Sequence, residues 1–226
     1  MGPFSTRSFA LFLGITLATA APAPATSDAQ VVSGAPAEAN ARLADFGYAG
    51  SGCPQGSATS GFDAAVNCNR FYFPDLTASI APGDSQSDHS NNCLMQISLD
   101  CDPGWKFTVK PHNTKLTAHV NLRDGVAASY ITTYDIIGTG QARGVVQYSF
   151  TGPRNDNPSV ADPAPSTSYP TSKCGGGILV VDRRVSLSKG TSSSPVGSMQ
   201  LWGDANDGDG TNANFVPWGA IEWSRC

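Results

Sequence analysis

Carboxylates and imidazoles are the side chains in this sequence best suited to acid–base chemistry, and neither is arranged in a catalytic pattern. Sixteen of the acidic residues are aspartates, only Glu38 and Glu222 are glutamates, and the three histidines are His89, His112 and His119. Cleaving a glycosidic bond needs two carboxyl groups about 5 to 10 Å apart, one with a raised pKa. Most aspartates here stand in turn contexts, such as Asp102-Pro103-Gly104 and Asp124-Gly125, where the side chain supports the backbone. Glu222 lies between Ile221 and Trp223, so on a strand it points outward if those two point inward. The sequence singles out no second carboxylate to work with it in catalysis, and a hydrolase would have to use an unrecognised aspartate pair. The nucleophile elbow G-x-S-x-G does not occur, which removes one common serine hydrolase arrangement. His112 follows Pro111 in a turn and His119 takes the outward parity of a strand. Their spacing suggests no converging ligand set of the kind zinc requires. No catalytic residue, metal or cofactor is expected from these groups.

The run D-A-N-D-G-D-G, Asp204 to Gly210, is the other chemical candidate. An EF-hand loop reads D-x-[DN]-x-[DN]-G with an acidic residue at position twelve. Setting the glycine on Gly210 places Asp207 and Asp209 correctly but puts Ala205 first and Val216 twelfth. Asp204, Asp207 and Asp209 therefore offer a weak surface calcium site at most. A hairpin loop between strands at Met199 to Trp202 and Trp218 to Trp223 accounts for the run without metal. Trp218, after Pro217, and Trp202 are the candidates for a platform on which sugar rings stack. Trp105 and Trp223 fit strand parity and are expected in the core.

Elements must hold these groups in place. Residues 1–20 carry one arginine, Arg7, ahead of an apolar run from Phe9 to Leu17 and close on Ala18-Thr19-Ala20. That is the pattern of a secretory signal peptide, and the run is shorter than the roughly 20 residues of a membrane span. Residues 21–46 are rich in Ala and Pro and read as a flexible leader or propeptide, which leaves 47–226 as a single domain. Acidic residues outnumber basic ones by 18 to 14, and no basic stripe exists to neutralise phosphates, so a nucleic-acid partner is excluded. Gly (24) and Pro (16) are abundant, and the scarcity of strong helix formers after residue 50 points to strands and turns.

Parity supports that reading. From Cys93 to Cys101 the apolar residues Met95, Ile97 and Leu99 alternate with Gln96, Ser98 and Asp100, as on a half-buried strand. Further strands are expected at Trp105 to Val109, Lys115 to Leu122, Ser129 to Ile137, Gly144 to Thr151, Ile178 to Leu187, Ser198 to Trp202 and Trp218 to Trp223. Such spacing predicts an all-β, antiparallel β-sandwich of jelly-roll type. Gly152 to Lys173 shows no strand or helix pattern and reads as a Pro-rich crossover, with a binding lid as the alternative.

Six cysteines, Cys53, Cys68, Cys93, Cys101, Cys174 and Cys226, in a secreted chain imply three disulfides, with about fifteen connectivities open. The segments GYAGSGCPQGS (Gly47 to Ser57), IAPGDS (Ile80 to Ser85), NNCLMQISL (Asn91 to Leu99), PGWKFTV (Pro103 to Val109), YSFTGP (Tyr148 to Pro153), KCGG (Lys173 to Gly176) and the terminal EWSRC occur in that order. Together they resemble the secreted family known as domain of unknown function 4360, over about residues 47–226. The resemblance implies a small extracellular domain, widespread in fungi, without an established activity. It also implies the pairs Cys53 with Cys93 and Cys174 with Cys226, since these match the family's four usual cysteines. Cys68 with Cys101 follows by subtraction.

Three function classes remain. The leading expectation is a non-enzymatic, monomeric secreted protein acting through protein contacts at the cell wall or, effector-like, at a host surface. The alternative is a module that binds cell-wall polysaccharide through Trp218 and Trp202, and the third is the hydrolase with an aspartate pair. Because the acidic run misses the calcium pattern at its first and last positions, EGTA is expected to leave the melting temperature unchanged. A downward shift on chelation, restored by calcium, would show that the run holds metal.

Overall fold

The computed structural model describes residues 30–31, 35–57, 59–63, 68–72, 76–109, 115–161, 169–202 and 221–226. In chain order the strands are β1 (Gln30–Val31), β2 (Arg42–Ala49), β3 (Thr59–Asp63), β4 (Cys68–Tyr72), β5 (Thr77–Ile80), β6 (Ser90–Asp100), β7 (Trp105–Val109), β8 (Lys115–Leu122), β9 (Ala127–Ile136), β10 (Gly144–Thr151), β11 (Arg154–Asp156), β12 (Ser159–Ala161), β13 (Gly176–Ser188), β14 (Gly197–Trp202) and β15 (Ile221–Arg225), with a 3-10 turn at Ala37–Ala39. The chain is all-β and its ladders are antiparallel. A six-stranded sheet runs β1-β2-β6-β13-β9-β10, and a five-stranded sheet runs β11-β8-β14-β5 with β12 also on β8. The pairs β7 with β15 and β3 with β4 form two further sheets.

Alternation of side chains explains why these sheets share one core. Cys93, Met95, Ile97 and Leu99 of β6, Leu179, Val181, Val185 and Leu187 of β13, and Tyr130, Tyr134 and Ile136 of β9 are all buried. They belong to the same apolar cluster as Ala118, Val120 and Leu122 of β8, Met199 and Leu201 of β14, and Ala78 and Ile80 of β5. The residues of opposite parity face away from that cluster, while Thr132 and Arg183, of the same parity, are buried with it. Arg183 and Arg184, adjacent in sequence, are separated by the same rule. Arg183 is 2% exposed, the largest fully buried side chain, whereas Arg184 lies outside beside Asp182 at 3.8 Å. The densest basic spot of the sequence is thus split between two faces.

Two disulfides are present. Cys53 joins Cys93 and Cys174 joins Cys226, closing sequence separations of 40 and 52 residues, each worth roughly 4 kcal/mol in the chain-entropy account. The expected third bond is not formed, because Cys101 is a free cysteine. It lies just past the end of β6, and its backbone N–H donates to the Gly175 carbonyl at 3.1 Å. Its thiol donates to the Trp105 carbonyl at 3.2 Å. Burial pushes that thiol above the ordinary cysteine value, offset in part by the Gly175 backbone, while Asp100 and Asp102 add to the rise.

Three further expectations are corrected. The leader assigned to 21–46 overlaps the sheet, since Leu43 to Ala49 pair with β6 and Ala39, Ala41 and Leu43 are buried. The stretch 152–173 supplies β11 and β12 to the edge of β8 and buries Tyr169 and Ser172. No hairpin joins β14 to β15, because β14 pairs with β8 and β5 while β15 pairs with β7. D-A-N-D-G-D-G falls in sequence between β14 and β15, outside the described residues.

The Cys174 turn feeds β13 through Gly176, whose φ is +114° and whose added Cβ would stand 2.1 Å from the Leu99 carbonyl oxygen. An L side chain is strained in that conformation and has no space there. Gly176→Ala is expected to cost about 3 kcal/mol of unfolding free energy. Urea denaturation measures it, and a loss within about 0.5 kcal/mol of zero, the usual range for a neutral surface change, would contradict this account of the turn.

Candidate functional site

The outer face of the five-stranded sheet carries a set of polar side chains that strand alternation brings together. On β8, the buried Ala118, Val120 and Leu122 leave His119 and Asn121 on the opposite face. On β14, buried Met199 and Leu201 leave Ser198 and Gln200, and on β5, buried Ala78 and Ile80 leave Thr77 and Ser79. The register aligns these positions. Asn155 of β11 stands opposite Asn121, which stands opposite Ser198, and Ser198 opposite Ser79. One step along, His119 faces Gln200, which faces Thr77. Just past β11, the Asn157 amide oxygen lies 2.7 Å from His119 Nδ1. With the oxygen as acceptor, Nδ1 carries the proton.

At the Leu122 end this face opens into a groove of about 770 Å³. Asn121 to Gly125 lie on the β8 line, with Pro153, Arg154 and Asn155 on one side and Thr191 to Ser194 on the other. Close backbone approach fixes the second side. Thr191 N–H donates to the Gly125 carbonyl at 3.0 Å, and Arg123 N–H donates to the Val196 carbonyl at 3.0 Å. Gly125, at φ +70°, would place a Cβ 2.7 Å from Thr191 Oγ1 and 2.9 Å from Ser192 N. Only glycine leaves room for the two segments to meet there. A smaller pocket of about 260 Å³ lies on the six-stranded sheet between Ala127–Ser129, Ser149–Thr151 and Ser186–Ser188.

One of the charged lining residues, Arg154, is engaged locally. Arg154 holds Asp156 through two nitrogens, Nη2 to Oδ2 at 2.8 Å and Nε to Oδ1, and its guanidinium lies over the Phe150 ring at 4.9 Å. The hydrogen bonds from Arg154 hold the Asp156 carboxyl below the usual carboxylate range, and Asp156 raises Arg154 in turn. Among the lining residues Asp124 is the one carboxylate, whereas glycoside hydrolysis needs two. The arrangement can present hydroxyls, amides and an imidazole to a neutral polar ligand. Among the described residues no group of three or more His, Cys, Asp or Glu could hold a metal ion.

The residues singled out in sequence fare differently. Asp204, Asp207, Asp209, Trp218 and His112 lie outside the described residues, and Trp202 ends β14 in register with Thr117. Trp105 is buried and Trp223, half-buried, packs on Phe107 with ring centroids 5.6 Å apart. Glu222 is exposed between buried Ile221 and half-buried Trp223, as parity required. His89 is half-buried, its carbonyl accepting from Leu187 N–H at 2.8 Å. Sequence reasoning missed Asn121, Asn155, Asn157, Ser198 and Gln200 as one group. The alternation within β8 and β14 could have found Asn121, Ser198 and Gln200, while nothing in sequence placed 155–157 beside them.

Fold and site together define a disulfide-bonded, antiparallel all-β protein with a polar groove at one end of a sheet. The chain belongs to the family described as domain of unknown function DUF4360, which it matches over residues 39–226. It is similar to an uncharacterized secreted protein of Arthroderma benhamiae, 24% identical over 180 residues that span 79% of this chain and 69% of the relative. The protein is secreted, as the signal-peptide pattern and this relative agree. Two solved structures overlap it at a TM-score of 0.22: TmCBM61 in complex with β-1,4-galactotriose, 8% identical and covering 81% of this chain and 90% of that one, and a family 11 carbohydrate-binding module from Clostridium thermocellum in complex with a β-1,3-1,4-mixed-linked tetrasaccharide, 11% identical and covering 70% and 86%. Overlap at that TM-score does not establish a shared fold.

The Arg154–Asp156 pair sets a pH expectation for the groove rim. A carboxyl held below its unfolded value contributes stability that is present above the unfolded pKa and lost as pH falls through the folded one. The rim contact should therefore persist at neutral pH and through mild acid and be lost only below the ordinary aspartate range, about pH 3.9. Carboxyl-carbon NMR titration of Asp156 should show the depressed midpoint, and Arg154→Gln should bring it back up. An unaltered midpoint in that variant would rule out the guanidinium as the cause.

Proposed function

We propose that this secreted protein is a non-catalytic module that binds a neutral polysaccharide through the groove and the adjoining outer face of the five-stranded sheet. The observation that carries this reading is the alignment of Asn155, Asn121 and Ser198 across three strands, continuous with the groove that Asn155 and Asn121 help to line. Sugar hydroxyls both donate and accept, and carboxamides and hydroxyls match that duality in a way that charged groups do not. Binding is favoured over hydrolysis because the groove lining offers one carboxylate, Asp124. The two larger sheets are read as the layers of a jelly-roll-like sandwich, acting as a monomer at the cell wall. The tryptophan platform expected from sequence at Trp218 and Trp202 would supply stacking for a sugar ring.

A second reading, contact with an extracellular protein at the cell wall or a host surface, is favoured by a different face. Ile137, Val145 and Ile178 are 53%, 49% and 38% exposed. Ile137 N–H donates to the Ile178 carbonyl at 3.0 Å, which brings two of them together at one end of the six-stranded sheet. Large exposed apolar side chains that cluster favour protein partners.

Retention on insoluble chitin, β-glucan and cellulose separates the two. The mature protein is expected to be held by at least one of them, without release of reducing sugar, and Asn121→Ala combined with Asn155→Ala should abolish retention while the melting temperature stays the same. Absence of retention on every polymer tested, with a specific protein recovered by crosslinking instead, would transfer the assignment to the apolar face.

A further inference from the structure

The groove has a direction, and the direction bears on the kind of ligand it takes. This step rests on the glycan reading above. Pro153, Arg154 and Asn155 lie on the β11 side of β8, and Thr191 to Ser194 lie on the β14 side, with Asn121 to Gly125 between them. The opening left by two such sides is parallel to β8. Past Asn121 the outer face of β8 continues beyond the groove lining to His119, with Asn157 hydrogen-bonded to His119 Nδ1 on one side and Gln200 in register on the other. A trough that follows a strand in this way, bordered on both sides, suits a linear chain lying along it and crowds a branch leaving sideways.

We infer that the ligand is an internal stretch of an unbranched, uncharged polysaccharide running along β8 from the groove over Asn121 to His119. From His119 to Arg123 the strand advances about 14 Å at the rise of an extended backbone, the length of roughly three sugar rings in an extended chain. Charge argues for an uncharged ligand. Arg154 is already engaged by Asp156, and Asp124 adds a carboxylate to the lining beside Arg123, so a uronate or sulfate would meet negative charge in the groove. Amides line the groove at Asn121 and Asn155, and Asn157 and Gln200 follow beyond it beside His119. Each carries two donors and an acceptor, which suits successive rings that repeat the same hydroxyl pattern.

Calorimetry with the mature protein and linear β-glucan, chitin and mannan oligosaccharides from dimer to hexamer tests this. Affinity for one series should climb with length to the trimer or tetramer and then level off, and reducing the terminal sugar of the hexamer to its alditol should not change it. Asn121→Ala should weaken the hexamer about ten-fold or more, the size expected for losing a hydrogen-bonded contact, whereas Gln96→Ala on the other sheet should bind as wild type. Full affinity already at the dimer, dependence on an intact chain end, tighter binding of oligogalacturonates, or equal binding of a heavily branched polymer would each overturn the along-strand inference and leave glycan binding standing. If no oligosaccharide binds, both fall.

Discussion

The two ladders that hold β13 in the middle of the six-stranded sheet are the interaction on which the rest of the molecule depends. β13 is in register with β6 over Gly176–Ser186 and with β9 over Leu179–Ser188, so its backbone is paired on both edges from Leu179 to Ser186. It is also the strand of that sheet that lies against β5 and β14 of the other, which makes Leu179, Val181, Val185 and Leu187 the seam of the core. Both of its ends are tied into other parts of the fold. Its start follows Cys174, bonded to the C-terminal Cys226, and its finish delivers residues 189–196 across to β14. Those residues form one side of the groove, so the register that packs the core also sets where Thr191 to Ser194 can stand.

Polarity on the outer faces follows from the same alternation but with different results for the two sheets. The six-stranded sheet presents charges that are matched across short distances, Arg143 with Asp135 at 2.9 Å and Arg184 with Asp182 at 3.8 Å, beside exposed Ile137 and Ile178. The five-stranded sheet presents carboxamides, hydroxyls and one imidazole in register. Exposed ion pairs contribute little to stability, and amides in open solvent contribute less. The six-stranded sheet carries uncharged polar groups as well, among them Gln96, Ser98 and the Ser129–Ser186 pair at 2.8 Å, so what sets the five-stranded sheet apart is that its polar row runs into the groove.

The parts of this fold legible in sequence are those where apolar and polar residues alternate over at least five positions. β8 and β10 have the bounds that alternation gave, and β6, β9, β13 and β14 differ by a few residues at their ends. Strands without that pattern were not legible. β11 and β12 span three residues each, with Asn157 and Pro158 between them, too short for a period to show; they exist because β8 supplies a ready edge. In β2 the inward residue is Leu43, preceded by Ala39 and Ala41, and the small side chains made a buried segment look like an Ala-rich leader. The Cys68–Cys101 pairing failed for a related reason. An even cysteine count says nothing about where the chain turns after Asp100, and the turn places the Cys101 thiol against the Trp105 carbonyl instead. The site was half legible: the parity of His119 and Asn121 was visible, but their neighbours come from β11 and from the 189–196 crossover, which only the tertiary fold brings near.

That split also bears on how tightly such a groove can hold a ligand. Association is opposed by the ordering of loops and side chains, and affinity improves when the site is already in place. Here both sides are fixed by backbone contacts before any ligand arrives. Gly125 and Gly190 let the 123–126 turn and the 189–192 turn meet, since a Cβ on Gly190 would lie 2.2 Å from the Gly125 carbonyl oxygen. Gly152 brings the other side in, its N–H donating to the Val126 carbonyl at 2.8 Å, and there a Cβ would stand 2.0 Å from the Arg123 carbonyl oxygen. Three glycines thus allow three segments to close around the end of β8. Stability alone would be served as well by a looser turn with ordinary side chains, because tight glycine turns carry an entropic cost in the unfolded chain. The close approach instead holds Pro153–Asn155 and Thr191–Ser194 at a set separation across Asn121, so the hydrogen-bonding groups of the trough need little further ordering to meet a sugar chain.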